Sequence, residues 1–291
     1  MKGLTAELGI GIKQILFATD FSRPSEKALP YALSLAKKYD AKLFAAHITS
    51  EPVGVPSSMR EGLHGLGIKR QKEDGEGLAR LEGEMLGVRH EVISRQGDVW
   101  TRLSEIVRAE AIDLIVIGTH GRTGAGKLLM GSVAETVFRH APCPVLTVGP
   151  EVSGEPASVA DLHEILFPTD FSPESLAALP YAISLAKQDD ARLYLLHVAG
   201  KYQRGETLVD GQLRNLVPPN TRLFCEPKVF VEVGPPAERI LALAEELGTD
   251  LIVLGVKRTP AFFEASAHLP QATAYKVVSQ ASCPVLTVRG K

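Results

Sequence analysis

An internal repeat constrains the fold of this chain more strongly than any other feature of its 291 residues. The octapeptide ILFATDFS at 15–22 returns 150 residues later, at 165–172, as ILFPTDFS. Near the ends of the two copies, CPVLTV at 143–148 returns unchanged at 283–288, where the offset has fallen to 140. The copies therefore differ in length between these landmarks, in connecting segments that tolerate insertion and deletion. The repeat predicts two structurally similar units in tandem.

Within each copy, apolar runs of strand length alternate with amphipathic segments of helical period. In the first copy the apolar runs predict strands at 12–18, 42–48, 89–94, 112–117 and 145–148. Helices are predicted from Ser22 onward, with a bend at Pro30, and at 100–109 and 132–139. The glycine-rich, charged stretch 55–86 predicts a partly helical excursion. This alternation favours an α/β fold with two tandem doubly wound, Rossmann-like domains, each with a five-stranded parallel sheet.

The stretch between the two copies is rich in proline, glycine and serine and shows no hydrophobic periodicity. Such a composition is typical of a linker. We therefore predict a first domain at 1–149, a linker at 150–162 and a second domain at 163–291.

Charge and composition argue against several classes of function. A net charge of −2 provides no broad basic field for binding a nucleic-acid backbone. The longest apolar runs have strand length, whereas a membrane span needs about 20 residues, and the first residues carry no apolar leader. The three cysteines match no zinc spacing and suit a reducing compartment. We expect a cytoplasmic protein that binds neither nucleic acid nor membranes and has no metal site made by protein ligands.

The segment most informative about function follows the fourth predicted strand, where 118–132 contains five glycines and ends as a helix begins. Glycine lets the backbone approach an anion closely, and the first N–H groups of a helix point towards it, so the segment predicts phosphate binding. In a doubly wound sheet, Asp20 after the first strand would face Gly118 across the ligand. A flexible surface loop is the alternative interpretation. A P-loop is disfavoured because Leu128 stands where Ser or Thr would hold magnesium.

The spacing Gly118, two residues, Gly121, nine residues, Gly131-Ser132 resembles the nucleotide signature of the universal stress protein family. The DFS motif at 20–22 and the CPV of the last strand are also similar to that family, and the resemblance covers nearly the whole chain as two domains. It implies an adenine nucleotide alpha hydrolase-like fold and the ATP-binding type of loop in the first domain. ATP or ADP is thus the implied ligand, with Mg²⁺ between the phosphates.

The same resemblance implies a set of nucleotide-binding residues: Ala18, Asp20, Ile48, Ile117, Gly118, His120, Gly121, Gly131, Ser132, Val133 and Ala134. In this set Asp20 approaches the ribose and the main chain of Ile48 reads the adenine edge. Gly121 and residues 131–134 hold the phosphates. His120 either contacts a phosphate or stays solvated.

The second copy departs from this pattern. It keeps Asp170 and Gly255, but its segment 256–272 contains no glycine and carries Phe262 and Phe263, which would fill the phosphate space. We expect the second domain to be a partner and scaffold, or to bind something apolar.

His47 and His197 recur at the end of the second strand of each copy, and Cys143 and Cys283 precede the last strand. We interpret the histidines as hydrogen-bonded core or rim residues and the cysteines as packing residues. No set of nucleophile, base and orienting group is evident, so dedicated catalysis is unsupported.

Three functions stay open. The leading hypothesis is a stress-response protein that binds ATP or ADP in its first domain and acts as a nucleotide-dependent signalling or protective module. The alternatives are a slow ATPase and a nucleotide-independent scaffold.

The last strand of each copy predicts how the domains assemble. A terminal strand at a sheet edge leaves N–H and C=O groups unpaired, and such edges are usually covered. The family resemblance implies that the strands at 145–148 and 285–288 pair antiparallel, which predicts an internal pseudo-dimer of the two domains. A further homodimer through other surfaces is possible.

Overall fold

The computed structural model describes residues 11–49, 60–119, 130–152, 161–200, 206–257 and 273–290. Most of the glycine-rich segment of the first copy and its counterpart in the second copy lie outside these ranges. Part of the predicted linker at 150–162 does too, so the domain limits stay a prediction.

Apolar runs form the strands of the described chain. Their bounds are β1 (Gln14–Thr19), β2 (Lys42–Thr49), β3 (His90–Gln96), β4 (Leu114–Gly118), β5 (Val145–Val148), β6 (Glu164–Pro168), β7 (Arg192–Ala199), β8 (Lys228–Val233), β9 (Leu251–Val256) and β10 (Val285–Arg289). Strands β1, β4, β6 and β9 are buried at nearly every position, as expected for parallel strands covered on both faces. β3 and β8 lie at the two outer edges and are more exposed.

The described strands form one sheet in the order β3-β2-β1-β4-β5-β10-β9-β6-β7-β8. Neighbouring strands are parallel within each half, and β5 and β10 run antiparallel where the halves meet. The prediction of two tandem doubly wound units with five-stranded parallel sheets is confirmed.

Helices cover both faces of this sheet. Their bounds are α1 (Arg23–Glu26), α2 (Leu29–Tyr39), α3 (Arg60–Glu84), α4 (Val99–Ala109), α5 (Ser132–His140), α6 (Pro173–Leu176), α7 (Leu179–Gln188), α8 (Glu206–Arg214), α9 (Pro236–Glu246) and α10 (Thr273–Gln280). The apolar residues of α2, α3, α7 and α8 pack in the core on one face. Those of α4, α5, α9 and α10 pack in the core on the other face.

The first helix differs from its prediction. The chain does not form one helix bent at Pro30; it forms the short helix α1, a turn, and then α2, whose first turn contains Pro30. A proline there removes no helical hydrogen bond, because the N–H groups of the first turn have no acceptor within the helix. The second copy repeats this division at Pro180. Ser22 does cap the segment, since its Oγ accepts the N–H of Ser25 at 3.3 Å.

The two halves join through β5 and β10. Thr147 lies opposite Val285 in the register, and Thr287 lies opposite Val145. Each threonine hydroxyl donates to the carbonyl of the valine opposite, at 3.1 Å for Thr147 and 3.2 Å for Thr287. The antiparallel pairing covers the edge that each five-stranded unit would otherwise expose. The predicted pairing of the last strands within the chain is confirmed.

Helices α2 and α7 are tied together across the same junction. Lys38 forms an ion pair with Asp189, and the Tyr39 hydroxyl donates to Gln188 Oε1 at 2.7 Å. Both charged side chains are largely buried, at 15% and 5% exposed for Lys38 and Asp189. Burial raises the pKa of Asp189, and the neighbouring Lys38 opposes this rise only in part.

Candidate functional site

A crevice is expected where the strand order of the first domain reverses, between β1 and β4, because the chain leaves these strands in opposite directions. Ala18 near the end of β1 pairs with Ala46 of β2 on one side and Ile117 of β4 on the other. Asp20 follows β1 and Thr119 follows β4 at the same edge of the sheet. The structure therefore brings the ends of these two strands together, as the sequence predicts.

Several of the predicted site residues form an apolar wall below this edge. Ala18, Ile48, Ile117 and Ala134 are all buried and belong to one core cluster, and Val133 packs against it. Gly118, at the end of β4, is buried as well. An apolar wall beside a few polar groups is the usual composition of a nucleotide or cofactor pocket.

The two ends of the glycine-rich segment meet. The N–H of Gly131 donates to the carbonyl of Thr119 at 2.7 Å, and the N–H of Thr119 donates to Val148 at 3.0 Å. The N–H of Met130 donates to the hydroxyl of Tyr275, on α10 of the second domain, at 3.0 Å. Residues 120–129, which include the predicted site residues His120 and Gly121, lie outside the described chain. The described residues on either side of this gap, Thr119, Met130 and Gly131, are thus held by bonds to each other, to β5 and to α10.

Helix α5 begins directly at this base. Gly131 is its N-cap residue, with extended backbone (φ −63°, ψ 150°), and its carbonyl accepts the N–H of Glu135 at 2.8 Å. Gly131 has no side chain with which to cap this terminus. Ser132 is exposed and Val133 half-buried, and the first N–H groups of a helix have no acceptor within the helix. Such a terminus carries a partial positive charge and favours an anion.

The turn after β1 is held in a strained conformation. Phe21 has φ = +58°, a region that bulky residues rarely adopt. Hydrogen bonds on both sides stabilise it: Asp20 Oδ1 accepts the N–H of Ser22 at 3.0 Å, and Thr19 Oγ1 accepts the N–H of Phe21 at 3.0 Å. The turn directs the half-buried Asp20 to the edge where β1 and β4 end. The second copy repeats it at Phe171, with φ = +63°.

His47 supports this turn from beneath. Its Nδ1 lies 3.0 Å from the carbonyl of Thr19 and its Nε2 lies 3.4 Å from Asp74 of α3, while its ring stacks on Phe21 with centroids 4.4 Å apart. His47 is therefore the buried, hydrogen-bonded core residue that the sequence predicts.

In the second domain, His197 makes the equivalent bond to Thr169 at 2.9 Å, but its buried Nε2 has no partner within the described ranges.

The second domain keeps the Asp turn but uses it structurally. Asp170 Oδ1 accepts both the N–H and the hydroxyl of Ser172, at 3.0 and 2.6 Å. Burial raises the pKa of Asp170, but the hydrogen bonds from Ser172 and Ser175 outweigh that effect and hold the pKa below its ordinary value.

Gly255 at the end of β9 also has a packing role. A Cβ added there would lie 2.8 Å from the carbonyl carbon of Glu174, and closer still to the oxygen of Glu174 and to Ser175 Cα. Gly255 is therefore required by the approach of α6, whether or not a ligand binds. In the first domain α1 likewise contacts β4, the strand that ends at Gly118.

No group of three or more His, Cys, Asp or Glu side chains within the described ranges could hold a metal ion. In the same part of the chain, none of the helices is both long enough and apolar enough to span a membrane.

Sequence reasoning did not identify two residues that shape the site, Tyr275 and Asp74. Each acts across a large separation in the chain: Tyr275 bonds a residue of the other domain, and Asp74 reaches β2 from the excursion helix α3. The one clue to Tyr275 in the sequence is its place in the repeat: Tyr275 lies 140 residues after Glu135, so a tyrosine in the second copy stands where the first copy has a glutamate.

Fold and site together define a class: tandem doubly wound α/β proteins in which two parallel sheets join edge to edge and one domain carries a glycine-rich loop at the strand-order reversal. The model of the universal stress protein family matches residues 11–149, 162–214 and 221–289, most of the chain. The chain belongs to the universal stress protein family.

Individual relatives agree with this assignment. The universal stress protein MJ0531 of Methanocaldococcus jannaschii is 37% identical over 141 residues, which are 47% of this chain and 81% of that protein. A universal stress protein of Thermus aquaticus is 34% identical over 137 residues, 47% of this chain and 98% of its own length. Each of these relatives thus matches about half of the present chain.

The solved structure of a universal stress protein from Archaeoglobus fulgidus covers the whole arrangement. It aligns with 96% of this chain and 98% of its own length, with a TM-score of 0.69 and 24% identity. At that identity the likeness concerns the fold, and it extends over both domains.

Proposed function

We propose that the first domain, at 1–149, binds ATP or ADP and that the chain acts as a nucleotide-dependent signalling or protective module in a stress response. One observation carries the proposal. The two ends of the segment that resembles the family's nucleotide signature meet through the 2.7 Å bond between Gly131 and Thr119, and helix α5 begins there at a glycine N-cap. A helix N-terminus next to such a segment favours the binding of a phosphate.

In this proposal the apolar wall of Ala18, Ile48 and Ile117 contacts the adenosine, and Asp20 accepts hydrogen bonds from the ribose hydroxyls. Gly118 flanks the ribose, and Gly121 with Gly131, Ser132, Val133 and Ala134 holds the phosphates. His120 either contacts a phosphate or stays solvated. Mg²⁺ would have the nucleotide phosphates as its ligands, because the described residues offer no cluster of their own.

The second domain is proposed to bind no nucleotide, because its segment 256–272 contains no glycine. Its contribution is to pair with the first domain along β5 and β10. A further homodimer through other surfaces is compatible with this arrangement.

The repeat provides a matched pair of variants that tests the site. Asp20 and Asp170 make the same hydrogen bond to the serine two residues on, at 3.0 Å in both copies, so Asp20→Ala and Asp170→Ala lose the same turn contact. We expect wild type to bind one ATP per chain in calorimetric titration. Asp20→Ala should weaken that affinity at least about tenfold, since a hydrogen-bonded charge contributes roughly 1.5–3 kcal/mol, and Asp170→Ala should leave it unchanged.

Four results would contradict the proposal or redirect it. Equal effects of the two variants would remove Asp20 from the site, and two equivalent sites per chain would place a nucleotide in the second domain. If the wild-type chain bound no ATP, the remaining hypothesis would be a nucleotide-independent scaffold. Phosphate release over many hours that Asp20→Ala abolishes would favour the slow ATPase.

A further inference from the structure

We propose that Tyr275 of the second domain is a positioning residue for Met130 and the start of helix α5 in the first domain, so that the degenerate domain sets the affinity of the intact one. The inference rests on the proposed function for its ligand. It assigns the second domain a role beyond strand pairing.

The contact is short, buried and crosses between the domains. The hydroxyl of Tyr275 accepts the N–H of Met130 at 3.0 Å, and the two residues are only 3% and 5% exposed. A buried backbone N–H without an acceptor is strongly unfavourable, so this hydroxyl holds Met130 in place.

Met130 lies at the point where the loop becomes the phosphate-facing helix terminus. It stands between residues 120–129 and Gly131, whose N–H closes the loop on Thr119 at 2.7 Å. The two bonds to Val148 and Thr119 come from the first domain, whereas the bond to Met130 comes from the second. Loss of the Tyr275 bond would release the backbone of Met130, next to the N–H groups that would contact phosphate.

The helix that carries Tyr275 is firmly seated against the first domain. Gly149 packs beside it, since a Cβ at that position would lie 3.6 Å from the carbonyl of Val278 and 3.5 Å from that of Ala281. Arg289 at the end of β10 donates to the carbonyl of Phe138 in α5. Tyr275 thus presents its hydroxyl from a helix that the β5–β10 junction fixes, as precise positioning requires.

Packing alone does not account for a tyrosine at this position. The equivalent residue of the first copy is Glu135, which pairs with Arg139 at 2.7 Å on its own helix. A phenylalanine would fill the same core space as the Tyr275 ring, and within the described ranges the hydroxyl adds the hydrogen bond to Met130. The specific contribution of Tyr275 is therefore to the loop.

Through this contact, nucleotide binding in the first domain and the position of Tyr275 in the second domain should affect each other. If the Tyr275–Met130 bond stabilises the loop that holds the nucleotide, then the nucleotide must stabilise that bond by the same free energy. Bound ATP should therefore slow amide exchange in α10 of the second domain as well as in α5.

The test is the substitution Tyr275→Phe, with Tyr194→Phe as a matched control. Tyr194 is equally buried at 3% exposed, lies in the same domain on β7, and its hydroxyl contacts Arg192 rather than the loop. We expect Tyr275→Phe to weaken ATP binding five- to tenfold in calorimetric titration, while Tyr194→Phe stays within twofold of wild type. An equal effect of both variants, or no effect of Tyr275→Phe, would overturn the proposal.

Amide hydrogen exchange separates this proposal from the proposed function. In the protein without nucleotide, Tyr275→Phe should speed exchange of Met130 and Gly131 at least tenfold and leave the amides of β1 unchanged. Unchanged exchange at Met130 would refute the anchoring whether or not ATP binds. A wild-type protein that shows this anchoring but binds no ATP would refute the proposed function alone.

Discussion

The substitution Gly255→Ala tests whether the glycine at the end of the fourth strand is needed by the fold itself. The added methyl would lie 2.8 Å from the carbonyl carbon of Glu174, whereas ordinary carbon–carbon contact is about 3.5–4.0 Å. The two groups must separate by at least about 0.7 Å, and no side chain can swing away, because the opposing atoms belong to the backbone of α6.

The surrounding hydrogen bonds resist such a shift. Ser172 Oγ accepts the N–H of Ser175 at 3.2 Å, and Asp170 holds Ser172 in turn, so moving α6 strains the whole turn after β6. Overpacking of a rigid interior typically costs about 1–3 kcal/mol, and a clash with backbone atoms alone belongs at the upper end of that range. We therefore expect Gly255→Ala to lower the free energy of unfolding by about 3 kcal/mol.

Differential scanning calorimetry of the full chain measures this effect as a fall in Tm of roughly 6–12 °C. Gly211→Ala is the control, because Gly211 lies inside α8 with nothing within 4 Å of an added Cβ. Alanine is a better helix former than glycine by about 1 kcal/mol, so the control should be neutral or slightly stabilising. A fall of less than about 3 °C for Gly255→Ala, or an equal fall for both variants, would refute the packing argument.

Two further predictions concern the junction and the thiols. Lys38→Met should destabilise the chain by about 2–3 kcal/mol at pH 7.5, because it leaves the buried Asp189 carboxylate without its cation. Burial already raises the pKa of Asp189, so the Asp189 carboxylate of the folded protein becomes protonated, and hence neutral, as the pH falls through that pKa. Urea unfolding should therefore show a smaller loss of stability for Lys38→Met at pH 4.5 than at pH 7.5. An equal loss of stability at both pH values would contradict the prediction. Burial also raises the pKa of Cys143 and of Cys283 to about 12. In a Cys225→Ser variant at pH 8, both should react with a disulfide reagent roughly a thousandfold more slowly than an exposed thiol, and rapid labelling of the native chain would disprove it.

Much of the architecture could be predicted because it depends on local patterns. Apolar runs repeated at fixed offsets specify strands buried on both faces, and their alternation with helices leaves few topologies open. The pairing of the last strands could be predicted from their position at an edge together with the family resemblance. The break between α1 and α2 could not, because periodicity does not distinguish a proline inside a helix from one in its first turn.

The candidate site divides in the same way. Asp20 and Gly118 could be found because each directly follows a strand, and parallel strands end at a common edge. Tyr275 and Asp74 could not, since the contacts that give them a role join residues 145 and 27 positions apart in the chain. Gly255 stands where the first copy has Gly118, and only the approach of α6 reveals its packing role.

The covalent link between the two domains has a consequence for how such a protein can change. In a symmetric pair of identical chains, every substitution occurs twice, so the residue at one helix position must suit both its own chain and its neighbour. Here that position is occupied by Glu135 in one domain, where it pairs with Arg139, and by Tyr275 in the other, where it bonds Met130. Fusion into one chain lets the two domains specialise independently, one keeping a glycine-rich loop and the other supplying its anchor.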